Sequence, residues 1–279
     1  MIISIASGKG GTGKTTIAVN LAKSLDADVQ LLDCDVEEPN AHIFVKPEIS
    51  QVKKVNMPIP EVDLSKCTFC GKCEKICQFN AIVVIKNNVL VFPELCHSCA
   101  GCWLVCPEQC IAQKDRPIGE MEIGKTGAID FAHGRLNIGE ALSPPIIREV
   151  KKQINAEKIT IIDAPPGTSC PVIEAVKGSD FILLATEPTP FGLNDLILAV
   201  EMVRILKIPF GVIINRADVG DKKVWEYCQK ENIPILMEIP NDRKIAEAYS
   251  TGKIIIDVYP EYIQKFQALY KEIERRAAA

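Results

Sequence analysis

The sequence predicts an α/β protein built on a doubly wound, mostly parallel sheet, with a small α+β unit inserted near its middle. Three observations carry that reading. Short apolar runs alternate with helical stretches toward both ends of the chain, and a glycine-rich loop joins the first strand to the first helix. Eight of the twelve cysteines crowd between Cys67 and Cys106.

Ile2 to Ala6 reads as a short buried strand and Lys14 to Leu25 as the helix that follows the loop. Val29 to Asp33 is the next strand, running into the acidic stretch Asp33-Cys34-Asp35-Val36-Glu37-Glu38-Pro39-Asn40. The alternation then stops. From about Val55 to Asp115 the chain is cysteine-rich with little room for a helix, and a glycine-rich loop is expected from there to Pro145. The rhythm resumes with a helix from Ile146 to Ile154 and strands at Ile159 to Asp163 and Phe181 to Thr186. A helix from Asn194 to Leu206, a strand from Phe210 to Asn215, a helix from Lys222 to Glu231 and a strand from Ile235 to Ile239 follow. In the C-terminal helix Ile263, Phe266, Leu269, Tyr270 and Ile273 recur at helical spacing, which predicts a face packed on the sheet rather than a membrane anchor. Strand–helix units flank the cysteine block on both sides, so the chain divides into 1–55, an insert at 56–115, and 116–279.

A formal net charge of −4 without any basic run argues against nucleic acid or an anionic membrane as a partner. The opening Met-Ile-Ile-Ser-Ile-Ala-Ser has no secretory pattern, and no apolar run approaches the ~20 residues that span a bilayer. A cytoplasmic protein is expected. In a reducing compartment this many cysteines point to metal binding rather than disulfides.

The loop Gly8-Lys9-Gly10-Gly11-Thr12-Gly13-Lys14-Thr15 satisfies the phosphate-loop pattern GxxxxGK[ST], directly after a strand and before a helix. Its glycines let backbone N–H groups face the phosphates, and the helix N-terminus beginning at Lys14, Thr15 and Thr16 adds its positive dipole end. Lys14 is expected to reach the β- and γ-phosphates and the Thr15 hydroxyl to hold Mg²⁺.

The extra lysine makes Lys9-Gly10-Gly11-Thr12-Gly13-Lys14-Thr15-Thr16 resemble the deviant Walker A motif of the MinD/ParA/Mrp group, to which the nitrogenase iron protein also belongs. The resemblance implies that Lys9 reaches the partner's nucleotide, so that ATP is sandwiched in a homodimer. It implies that Asp35 orients the attacking water and Asp33 supports the Mg²⁺ shell. Ile161-Ile162-Asp163-Ala164-Pro165-Pro166-Gly167-Thr168-Ser169 resembles the group's Walker B and second switch, placing Asp163 near the metal and Gly167 at the γ-phosphate. By the same resemblance Asn215 and Arg216 sit at the adenine, with the stretch from Pro240 to Asp242 packed on the base. Taken alone, each aspartate could instead cap a strand end. Asn215-Arg216-Ala217-Asp218 also resembles the guanine-reading NKxD motif, which leaves GTP open beside ATP and ADP.

Cys67-x₂-Cys70-x₂-Cys73-x₃-Cys77 is followed by Cys96-x₂-Cys99-x₂-Cys102-x₃-Cys106-Pro107, a run that resembles the bacterial two-cluster ferredoxins. The resemblance implies two [4Fe–4S] clusters, one held by Cys67, Cys70, Cys73 and Cys106, the other by Cys96, Cys99, Cys102 and Cys77. Zinc is the other metal that paired CxxC units suit. Gln78 departs from the proline expected after the fourth cysteine of the first run, and Cys110 and His97 read as packing and surface residues. Cys34 reads as a small buried residue. Cys170 stands where the nitrogenase iron protein places a ligand of a cluster shared between subunits, but a second such cysteine is missing.

As a whole the chain resembles MinD-superfamily P-loop ATPases that carry an inserted ferredoxin domain. That implies a Mg²⁺-dependent ATPase, a nucleotide-dependent homodimer and an unknown redox or iron–sulfur client. Three functions are compatible: an ATP-gated electron conduit, a carrier that delivers iron–sulfur clusters, and a positioning ATPase.

Overall fold

The computed structural model describes residues 1–278. In chain order the elements are β1 (Ile2–Ala6), α1 (Lys14–Ser24), β2 (Val29–Asp33), α2 (Ala41–Val45), β3 (Glu48–Val62), α3 (Lys72–Ile76), β4 (Ile82–Ile85), β5 (Asn88–Val91), α4 (Gly101–Leu104), β6 (Ile111–Thr126) and β7 (Ile129–Leu136). They continue with α5 (Pro144–Lys151), β8 (Ile159–Asp163), α6 (Cys170–Val176), β9 (Phe181–Thr186), α7 (Pro190–Leu206), β10 (Phe210–Asn215), α8 (Lys223–Lys230), β11 (Ile235–Ile239), α9 (Arg243–Ser250), α10 (Ile255–Val258) and α11 (Tyr262–Ala277).

Apolar residues on both sides of β1, β2, β8 and β9 suit strands covered on both faces, and these lie in the middle of the sheet. The strand order is β11-β10-β9-β1-β8-β2-β7-β6-β3, parallel from β11 to β7. Side-chain alternation splits the core in two. Leu31, Phe131 and Ile161 point to the layer of α1 and α11, where Ile17, Leu21, Phe266 and Ile273 meet them. Leu32, Ile162 and Leu184 point to the other layer, against Ile146, Val172, Val200 and Val224 of α5 to α8.

Where the sequence suggested a glycine-rich loop from Asp115 to Pro145, the structure has β6 and β7 instead. The glycines are there for closeness: a Cβ on Gly119 would lie 2.3 Å from the Arg135 carbonyl oxygen, and one on Gly134 would lie 2.3 Å from the Ile146 side chain. The stretch from Val55 to Asp115 likewise differs from the expected irregular chain, since β3 and β6 pair antiparallel from Glu48↔Lys125 to Val62↔Ile111. These strands cross the expected limits at 55/56 and 115/116 unbroken, and the helical turns α3 and α4 lie beyond them. The cysteines therefore sit in a lobe of residues 63–110 at the tip of a two-stranded ribbon whose base joins the main sheet beside β7.

Helix α7 starts earlier than its apolar pattern suggested. Thr189 accepts a hydrogen bond from Gly192 N at 3.0 Å and Pro190 takes the first turn, a combination that caps the helix ahead of Asn194. On α11 the buried face is Tyr262, Phe266, Leu269 and Ile273, while Ile263 turns toward solvent. Among the described residues no helix is long and apolar enough to cross a membrane.

Candidate functional site

The loop after β1 and the starts of α1 and α9 enclose a cavity of about 370 Å³, of a size suited to a small-molecule ligand. Gly10, Gly11, Gly13, Lys14, Thr15 and Thr16 form its floor. Gly13 is left-handed (φ 92°), and a Cβ there would lie 2.5 Å from Asn215 Nδ2, so both the turn and the contact require glycine. That amide donates to the Thr12 carbonyl at 3.0 Å and ties the end of β10 to the loop. Lys14 is buried at the helix start, and its charge faces the cavity's acidic end.

The acidic end has three carboxylates with different work. Asp163 is fully buried and neither of its oxygens has a hydrogen-bond partner. Burial pushes its carboxyl up to about 7, against the opposing charge of Lys14. A buried carboxylate with free oxygens next to a threonine hydroxyl is the oxygen donor set that Mg²⁺ takes. Asp33 is also buried, but its oxygens accept from the backbone N–H groups of Asp35 (3.1 Å), Asn40 (3.0 Å) and Ala41 (3.0 Å). These bonds engage both of its oxygens and shape the loop from Asp35 to Ala41. Asp35 lines the cavity itself, and burial raises its carboxyl to about 6 despite the opposing pull of Lys14.

Arg216, Pro240 and Asp242 line the wall with Asn215. Asp242 caps α9 by accepting from Lys244 N and also accepts from the Tyr259 hydroxyl, both at 2.6 Å. Gly8, Lys9, Thr12, Gly167, Asp33 and Asp163 stand outside the cavity lining. Gly167 is left-handed (φ 98°) and donates to the Ser7 carbonyl at 3.0 Å. Lys9 folds back within its own chain, with Nζ 4.0 Å from Glu187, which also pairs with Arg216 at 3.2 Å.

The lobe holds two smaller pockets. Cys67, Cys70, Cys73 and Cys106 line one, together with Cys110; Cys77, Cys96, Cys99 and Cys102 line the other. The lobe is an internal repeat. Left-handed residues Phe69, Gly71 and Asn80 recur at the matching positions Ser98, Ala100 and Gln109. The Asp63 N–H donates to the Cys110 carbonyl at 2.8 Å, as Phe92 does to Ala81 at 2.8 Å. Hairpin β4–β5 pairs Ile82 with Val91, as the ribbon pairs Ile111 with Val62. Each fourth cysteine follows its own half's helix yet faces the other half's pocket. Backbone N–H groups approach sulfur at Cys67 (3.4 Å), Cys96 (3.4 Å) and Cys77 (3.3 Å).

Among the described residues no three His, Cys, Asp or Glu side chains converge on one ion. The thiols ring their pockets instead, five in the first and four in the second, which fits a polynuclear group. Burial pushes the Cys73 and Cys96 thiols up and Cys102 to about 11, so a cation that displaces the protons is needed to make them thiolates.

The profile of the CobQ/CobB/MinD/ParA nucleotide binding domain matches residues 3–255. The chain belongs to that family. An uncharacterized protein of Methanocaldococcus jannaschii is 31% identical over 91% of this chain and 90% of its own length. The iron–sulfur cluster carrier protein of Pyrococcus abyssi is 26% identical over 91% of this chain and 78% of its own. Among solved structures, the septum site-determining protein MinD of Pyrococcus horikoshii in complex with Mg-ADP superposes with a TM-score of 0.60 at 20% identity, covering 98% of this chain and 95% of that one. At that identity the likeness establishes a MinD-like fold.

Within this CobQ/CobB/MinD/ParA domain the sequence reading missed the far wall of the cavity, formed by Ile245, Ala246 and Tyr249 of α9 with Ile255 of α10. Their spacing looks like any amphipathic helix, and only the fold brings it to the phosphate loop. Glu187 was missed as well, because one acidic residue after a strand carries no signal. Cys34 packs in the core, whereas Cys170 is exposed at the start of α6. His97 lines the second cysteine pocket, stacked on Phe79 with ring centroids 3.6 Å apart.

Proposed function

We propose that this protein hydrolyses ATP as a nucleotide-dependent homodimer and couples that cycle to electron transfer through two [4Fe–4S] clusters in its cysteine lobe. The observation that carries the proposal is the pair of cysteine quartets completed by exchange of Cys77 and Cys106, on a ribbon continuous with the nucleotide-binding sheet.

Loop N–H groups and Lys14 bind the β- and γ-phosphates, and Arg216 and Pro240 hold the nucleotide at its other end. Asp35 lines the same cavity as Lys14, where it can orient a water and take up its proton. Lys9 is held by Glu187 in the single chain and is the cation available to a second subunit's nucleotide. Bound Mg²⁺ would offset phosphate charge at Thr15 and Asp163, and bound clusters would supply one-electron storage at the quartets.

A second reading, an iron–sulfur cluster carrier, is supported by the named function of the Pyrococcus abyssi relative. Anaerobic protein with about eight iron and eight sulfide per chain, reversible reduction and retained clusters in the presence of an apo-acceptor supports electron transfer. Transfer of clusters to the acceptor on ATP addition supports the carrier. Zinc without acid-labile sulfide overturns both.

A further inference from the structure

The two halves of the lobe share their cysteine spacing and their left-handed backbone positions, but they differ four residues after the fourth cysteine. Where the half containing Cys77 has Ala81, the half containing Cys106 has Cys110. The chain turns back at Gln109 (φ 49°), whose N–H donates to the Cys106 carbonyl at 3.3 Å. That turn sets the Cys106 and Cys110 sulfurs 3.4 Å apart, and Cys110 closes the floor of the first pocket. The first quartet thus has a fifth thiol in contact with Cys106 and beside Cys67, and the second quartet has none.

We propose that Cys106 and Cys110 are a reversible dithiol that closes to a disulfide when the first quartet is empty, withdrawing one of its four ligands while the second quartet stays loadable. The ligand part of this rests on the cluster reading above. The pair is local in sequence, so its approach depends on one turn rather than on the whole lobe. The small side-chain rotations needed bring the sulfurs from contact to a bond of about 2.0 Å. The oxidant is a low-molecular-weight disulfide. The Cys106 thiolate, the more open of the two, attacks one of its sulfurs; that S–S bond breaks and one thiolate leaves. The Cys110 thiolate then attacks the Cys106 sulfur of the mixed disulfide and releases the second small thiolate. Two electrons pass from the cysteine pair to the reagent, and the two cysteine protons end on the two small thiols.

The test uses the full chain, stripped of metal anaerobically and treated with oxidised glutathione. Alkylation and peptide mapping locate any bridge, and uptake of iron and sulfide is then measured. A Cys106–Cys110 bridge is expected in wild type, with about half the iron capacity of the reduced protein and full capacity after dithiothreitol. Cys110→Ala, which copies the Ala81 half, and Cys110→Ser should keep full capacity under the same oxidant. A bridge at Cys67–Cys70 or Cys67–Cys110, the absence of a bridge, or equal iron capacity in oxidised wild type and Cys110→Ala overturns the proposal. If the reduced proteins take up no iron at all, the cluster reading and the ligand part of the proposal fall together, and the peptide map alone decides the dithiol.

Discussion

The nucleotide body and the cysteine lobe bury their chains by different means. The body has two apolar layers with Phe131, Phe181 and Phe266 fully enclosed. The lobe's own core is Ile82, Val89 and Ile111 with Cys102 and Cys110, while Phe79, Phe92, Leu95 and Leu104 stay exposed. A core that small is marginal for a chain of this length, so the clusters proposed above would supply part of the lobe's order. The comparison teaches that packing suffices in the body, whereas in the lobe the proposed clusters would share that work.

Metal removal tests this most severely. Chelation under anaerobic conditions should open the lobe to trypsin at Lys66, Lys72, Lys75 and Lys86, while the body's fragments stay protected. Equal protection of both regions would abolish the distinction. In the opposite direction, Phe266→Ala should destabilise the body by about 3–5 kcal/mol, the usual range for emptying an aromatic site. Iron content per folded chain should not change, and denaturant unfolding with metal analysis reads both.

The next effects are catalytic. Lys14→Ala should reduce ATP turnover by about 10²–10³-fold, the scale of removing one group that stabilises transition-state charge, with the quartets still loaded. Lys9→Ala should spare single-subunit nucleotide binding and abolish ATP-dependent dimerisation, measured by sedimentation. A Lys9 variant that dimerises like wild type would assign this lysine to Glu187 alone.

Asp35→Asn should permit ATP binding and slow turnover roughly 10²-fold. The proposed base role requires Asp35 to be ionised, and burial raises its carboxyl to about 6. In wild type kcat/KM should therefore fall as pH drops below about 6 and level off above it. The variant should lack that acid limb; an unchanged limb would move the base elsewhere.

The smallest expected effect joins the two regions. Asp33 fixes the N–H groups of Asn40 and Ala41, and the next residue, His42, lies edge-on to His133 with centroids 5.0 Å apart. His133 pairs at 2.8 Å with Glu122 of β6, the strand that runs into the lobe. A coupling of ~1–3 kcal/mol along this path would shift cluster potentials by roughly 40–130 mV between ADP and a non-hydrolysable ATP analogue. Potentiometric titration followed by paramagnetic resonance measures it, and identical midpoints would make the lobe an independent passenger.

Much of both sites was legible because their chemistry is local. A phosphate loop keeps its glycines, Lys14 and Thr15 close in sequence, and each cysteine quartet has three thiols close in sequence, so spacing alone picked out residues that the fold also brings together. The strand runs of the parallel body were legible for a related reason: residues buried on both faces form continuous apolar stretches such as Ile159–Asp163. The ribbon was not. Its half-exposed strands carry Pro58, Pro60, Pro117, Gly119 and Gly124, which in isolation signal loop, and only pairing across β3, β6 and β7 makes those residues strand. Tertiary structure alone decided that Asp33 faces backbone while Asp163 keeps free oxygens, that α9 closes the nucleotide cavity, and that Cys110 meets Cys106. Those outcomes depend on which side chains a packed sheet brings within a few ångströms, and a one-dimensional pattern does not contain that distance.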